Sequence, residues 1–191
     1  MRIRDSLNVL REAGADGTLK PGGTIVKSTT GNTGIGLALI GGALGYPVII
    51  VMPRTQSEEK KQAIRSFGAR LIEVDAAPFS SPNHFVHYSR RLAEELNASN
   101  SAGAIWANQF DNLANRRAHE KSTGPEIWQQ TGGRIDGFIC ASGTGGTLAG
   151  TAASLPGFKH EIALGVAEPA GAAPYAVSTP RHYTSRTHRE P

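Results

Sequence analysis

Two hydrophobic patterns alternate along this chain. Short, largely apolar runs at 24–28, 47–52, 70–74 and 104–107 predict strands. The stretches at 35–44, 57–67 and 83–96 repeat their apolar residues at helical spacing and predict the helices between them. Punctuation agrees with these assignments. A Lys-Pro-Gly-Gly turn at 20–23 precedes the first strand, and Ser57 followed by Glu58 and Glu59 has the composition of a helix start. Gly68 stands where a helix-ending glycine belongs. Continuously apolar strands are buried on both faces, and strands separated by about three turns of helix pair in parallel. The fold class is therefore α/β, with parallel or mixed sheets in three layers.

The alternation continues in a second block. Residues 114–130 read as a helix in which Pro125 marks a kink or a restart, followed by a strand at 135–141. A helix rich in small residues at 147–155 and a strand at 162–167 complete it. After Pro169 the period is lost, and the segment to Pro191 reads as a disordered or non-native tail.

Composition narrows the possible chemistry. The chain has 191 residues, 23 of them glycine without any period, and a single cysteine. No apolar run approaches the ~18 residues that a membrane-spanning helix needs. One cysteine removes a disulfide framework and a cysteine-rich zinc site, and no metal site is expected. Without a signal-peptide core the default setting is intracellular and cytoplasmic, with a mitochondrial one also open. The net charge of +4 is not concentrated in a basic stripe. The pairs Lys60–Lys61, Arg90–Arg91 and Arg116–Arg117 lack aromatic interleaving and read as solvated helix faces, so nucleic acid is not an expected partner. His84 and His87 read as surface or core histidines, and Cys140 as a small core hydrophobe.

Two glycine-rich loops join a strand to a helix, the place where α/β proteins bind ligands. Ser28-Thr29-Thr30-Gly31-Asn32-Thr33-Gly34 offers hydroxyls and backbone amides that suit a carboxylate. Ser142-Gly143-Thr144-Gly145-Gly146-Thr147 allows close backbone approach and suits a phosphate. The second loop lacks the lysine of a Walker A motif, and Leu148 stands where a dinucleotide fingerprint needs its last glycine. A nucleotide-binding α/β protein using this loop and Glu168 is an alternative.

Four motifs now occur in order: STTGNTGIGLA, MPRTQSEEKKQAIRSFGA, NQFDNLANRRAHEKSTGPEIW and SGTGGTLAG. Together they resemble cysteine synthase (O-acetylserine sulfhydrylase), of the fold-type-II pyridoxal-phosphate-dependent family related to tryptophan synthase β. The likeness runs from Leu7 to about Ala170. It implies an N-terminal helix over 1–19, a nearly complete small substrate-loop domain over 20–113 and a partial large cofactor-phosphate domain over 114–170, with 171–191 as the tail. It also implies that the strands at 135–141 and 162–167 have open edges and uncovered apolar surface.

The same resemblance implies roles. Thr29, Thr30, Gly31, Thr33 and Gln109 would meet the carboxylate of an amino acid substrate. Asn32 would meet the 3′-oxygen of pyridoxal 5′-phosphate, and Gly143, Thr144, Gly145, Gly146 and Thr147 would hold its phosphate. The family reaction is a β-replacement in which acetate leaves O-acetylserine and sulfide adds to give cysteine. The family is usually homodimeric. The family's Schiff-base lysine falls at or near Arg2, and the first lysine of this chain is Lys20. Arginine stays protonated and serves neither as imine-forming amine nor as base. A non-catalytic pseudoenzyme or binding fragment is therefore the other alternative.

Overall fold

The computed structural model describes residues 3–108, 112–159 and 161–167. Helix α1 (Ile3–Ala15) leads into β1 (Thr24–Ser28), α2 (Asn32–Ala43), β2 (Val48–Pro53), α3 (Glu58–Ser66) and β3 (Arg70–Val74). Helix α4 (Phe85–Ser99) then returns the chain to β4 (Ala104–Trp106). These strands form one parallel sheet in the order β3-β2-β1-β4.

Side-chain alternation divides the core between the two faces of that sheet. On one face Ile25, Val48, Ile50 and Met52 pack with Val9 and Leu10 of α1, Leu37 and Ala38 of α2, and Ile64 of α3. On the other, Val26, Ile49 and Val51 pack with Ala93 of α4, backed by Leu92, Leu96 and Trp106. The chain steps from β1 to β3 with its crossover helices on one face. It steps back to β4 with α4 on the opposite face, as a constant crossover hand requires.

The second block begins with α5 (Ala114–Ala118), a π-helical turn (His119–Thr123) and α6 (Gly124–Gln130). Pro125 sits in the first turn of α6, so the proline marks a restart. Strand β5 (Gly137–Ala141), α7 (Gly146–Ser154) and β6 (Ala163–Ala167) follow, the two strands paired in parallel from Gly137↔Ala163 to Ala141↔Ala167. Both strands are half-buried at best, and Ile139 is 72% exposed. The uncovered apolar surface expected of this pair is present.

Four sequence expectations need correction. Lys61 is not solvated: its side chain is 5% exposed and its Nζ lies 2.7 Å from Glu58 and 2.8 Å from Glu73. Packing of α3 against β3 buries the stem, and the two carboxylates receive the ammonium. Arg117 is not merely solvated either, since its Nε donates to Glu12 of α1 at 2.8 Å. Ser57 is extended at the head of α3, but its hydroxyl makes no capping bond. Cys140 is half-buried rather than in the core, because the β5–β6 pair is covered only in part, and burial pushes its thiol up. His84 caps α4, its Nδ1 accepting the Val86 N–H at 3.4 Å, and His87 Nε2 lies 2.7 Å from the Phe79 carbonyl. Among the described residues no helix is long and apolar enough to cross a membrane.

Two outcomes follow for stability. Ile50→Ala leaves a cavity in the fully buried strand β2 and costs about 3 kcal/mol, whereas exposed Ile139→Ser stays within about 0.5 kcal/mol, both read from urea midpoints. Burial and the nearby His87 hold His84 below the ordinary histidine value of 6.5. The unfolded chain therefore binds this proton more readily than the folded one. The cap's contribution is complete above that value and declines as the pH falls below it. His84→Ser, which caps without titrating, should lose less stability than wild type between pH 7.5 and 5.5, measured by urea unfolding at each pH.

Candidate functional site

Strand order reverses at β1. From there the chain winds through α2 to β2 on one side, while β4 arrives on the other by way of α4. A crevice opens at the carboxyl ends of two strands whose connections diverge in this way. The loop after β1 and the segment after β4 both lead into it. Their bases are tied: the Ala107 N–H donates to the Val26 carbonyl at 2.9 Å, and Lys27 Nζ donates to the Ala107 carbonyl at 2.7 Å.

The first glycine-rich loop is built around Thr29. This residue is buried and its Oγ1 accepts the Gly31 N–H at 3.1 Å, while the Gly31 carbonyl accepts the Gly34 N–H at 3.1 Å. Helix α2 starts at Asn32, three residues earlier than periodicity suggested, because Asn32-Thr33-Gly34 already form its first turn. Thr33 is buried, and Thr30 and Asn32 are exposed. Gly31 at the cap supplies no side-chain bond to the helix. The first-turn amides of α2 therefore face the loop without a capping hydroxyl, at the positive end of the helix dipole. This arrangement can receive a carboxylate.

The second loop is built around Gly145, whose φ of +78° is the left-handed conformation that glycine adopts freely. It heads α7 without a side-chain capping bond, and a Cβ placed there would meet nothing within 4 Å. Thr144 Oγ1 accepts from Asn115 Nδ2 at 2.8 Å and from the Gly146 N–H at 3.4 Å. A Cβ on Gly146 would come 2.5 Å from Asn115 Oδ1, so only glycine fits. Thr147 Oγ1 lies 3.2 Å from His119 Nε2. The same nitrogen is 2.8 Å from Asp5 Oδ1, and His119 Nδ1 is 2.8 Å from Thr123 Oγ1. A cavity of about 480 Å³ borders this cluster, with Arg4, Asp5, His119, Thr123, Glu126 and Thr147 among its walls. Arg4 pairs with Glu126 at its rim and holds that carboxyl below the usual carboxylate range.

The 143–147 loop carries hydroxyls, amides and a helix N-terminus but no carboxylate, with open space over Gly145. That donor set fits a phosphate. The two loops have different supports: the first is knitted by its own backbone, the second by α5 and the π-helical turn. Gln109, Arg2, Glu168 and the tail at 171–191 lie outside the described residues. Lys27, the lysine beside the first loop, is 2% exposed and serves as a tie between strand ends.

Asn115, His119 and Asp5 were not singled out by sequence reasoning. Asn115 and His119 lie inside the NLANRRAHEK stretch, and an asparagine in the first turn of a helix is too common there to have marked a site. Among the described residues no group of three or more His, Cys, Asp or Glu could hold a metal.

The sequence matches the pyridoxal-phosphate dependent enzyme family over residues 1–190. It is 51% identical to cysteine synthase 1 of Neurospora crassa over 151 residues, which is 79% of this chain and 39% of that protein. It is 40% identical to cysteine synthase A of Escherichia coli strain K12, over 86% of this chain and 49% of that protein. The crystal structure of O-ureido-L-serine synthase superimposes with a TM-score of 0.80 at 37% identity, covering 91% of this chain and 52% of that one. The chain thus spans between two fifths and one half of the length of these curated relatives.

Replacing Lys27 by methionine keeps most of the buried volume and removes the donor to Ala107. It should cost roughly 1–3 kcal/mol in urea unfolding, as expected for leaving a buried carbonyl without its charged donor.

Proposed function

The chain belongs to the pyridoxal-phosphate dependent enzyme family, and from that premise we propose that it carries the recognition half of a cysteine-synthase-type site. The observation that supports this most is the pair of glycine-rich helix N-termini. One lies at the strand-order reversal with the donors for a carboxylate. The other has the donors and the open space for a phosphate. Gly143, Thr144, Gly145, Gly146 and Thr147 hold the cofactor phosphate, and Asn32 orients the 3′-oxygen. Thr29, Thr30, Gly31, Thr33 and Gln109 receive the α-carboxylate of the amino acid.

The family reaction that a complete site of this type serves is β-replacement, O-acetylserine and sulfide giving cysteine and acetate. Electron withdrawal from the substrate α-carbon is the chemistry that bound pyridoxal phosphate supplies. The protein orients the carboxylate and excludes competing geometries. Moving the α-proton requires a group that can be unprotonated near pH 7, and the arginine at or near the lysine position, Arg2, cannot. The chain as it stands binds cofactor and amino acid without covalent attachment or turnover. The reading includes a homodimer, and a reducing intracellular setting, cytoplasmic by default, consistent with a single free cysteine.

Calorimetric titration with pyridoxal phosphate should give saturable binding, while NAD and ATP give no heat. Borohydride reduction followed by peptide mapping should leave every lysine unlabelled, and O-acetylserine with sulfide should yield no cysteine. A labelled lysine or catalysed cysteine formation overturns the non-covalent part of this reading. Absence of pyridoxal phosphate binding overturns the whole of it.

A further inference from the structure

We propose that Asn115 is the positioning residue of the phosphate loop, setting both its backbone path and the direction of the Thr144 hydroxyl. This rests on the reading of 143–147 as a phosphate site. Asn115 is 3% exposed and lies on α5, outside the loop. Its Nδ2 donates to Thr144 Oγ1 at 2.8 Å. A threonine hydroxyl has two lone pairs and one hydrogen. With Asn115 and the Gly146 N–H both donating to Oγ1, that oxygen is used as an acceptor and the hydroxyl is set to donate. A phosphate dianion accepts hydrogen bonds and donates none, so this polarity matches the ligand.

The same amide shapes the backbone. Its Oδ1, Cγ and Nδ2 are the three atoms nearest a Cβ built on Gly146, at 2.5 to 2.6 Å. The helix start is thus pressed against Asn115, directly after the left-handed turn at Gly145. Asn115 is itself anchored. The Asn112 carbonyl accepts its N–H at 3.2 Å, and Asn8 of α1 donates to the neighbouring Ala114 carbonyl at 2.8 Å. The side chain therefore acts through Thr144 and Gly146.

The test compares pyridoxal phosphate with pyridoxal, which lacks the phosphate, binding to the full-length chain by calorimetry. Asn115→Ala should weaken pyridoxal phosphate about tenfold, as loss of one well-formed hydrogen bond implies, and leave pyridoxal within about twofold. Asn115→Asp keeps the volume, replaces the donor by an acceptor and adds negative charge. It should weaken pyridoxal phosphate further, and it carries the test if the alanine variant melts below the assay temperature. Gly146→Ala should be less damaging in the Asn115→Ala background than in wild type, because the truncated side chain makes room for the added methyl.

Equal weakening of both ligands would show a general structural role and overturn the proposal. Unchanged preference for the phosphorylated ligand in both Asn115 variants would overturn it too, while leaving the phosphate site in place. Failure of wild type to bind pyridoxal phosphate would instead overturn the reading of the loop, and this inference with it.

Discussion

The reversal of strand order at β1 is the constraint from which the rest of the structure follows. Crossovers that run in opposite directions across a parallel sheet must place their helices on opposite faces if each keeps the same hand. Helices α2 and α3 therefore cover one face and α4 the other, and β1 and β2 are buried throughout. The same reversal leaves a crevice at the carboxyl ends of β1 and β4. The hydroxyl-rich loop after β1 lies there because the topology gives it no other place. Lys27, reaching from the end of β1 to the carbonyl after β4, fixes the spacing of the two strands at that point.

The second loop depends on a different constraint, the close approach of α5, the π-helical turn and α7. Gly146 meets Asn115, and Thr147 meets His119. π-helical turns are often found at functional sites, and this one brings His119 to both Thr147 and Asp5. Helix α1 is joined to the same region through Asp5, Arg4–Glu126 and Glu12–Arg117, with Arg117 holding the Glu12 carboxyl below its usual range. The 143–147 loop is thus tied to α1 through His119 and Asp5.

Strands were the most legible feature of the sequence. β1 and β3 have the bounds that the sequence predicted; β1 is buried along its whole length, and β3, at the sheet edge, is half-buried. The start of α2 was less legible, since Asn32, Thr33 and Gly34 are poor helix formers that α2 uses as an open N-terminus. Lys61 was misread because a lysine with two carboxylate partners is indistinguishable in sequence from a solvated one. In the 114–130 helix the break beside Pro125 was legible, and the π-helical turn that precedes it was not. At the site, the loops themselves were legible from glycine and hydroxyl content. Asn115 and His119 were not, since their roles come from tertiary contacts between residues about thirty positions apart.

The proposed recognition of two anionic groups, one on a cofactor and one on an amino acid, divides them between two separate loops of this chain. Amide chemical shifts of the isotope-labelled protein test it most directly, with pyridoxal phosphate added first and O-acetylserine second. The first addition should move the resonances of Thr144, Gly145, Gly146 and Thr147, and the second those of Thr29 to Thr33. Shifts confined to other surfaces, or a single loop answering both ligands, would rule this division out.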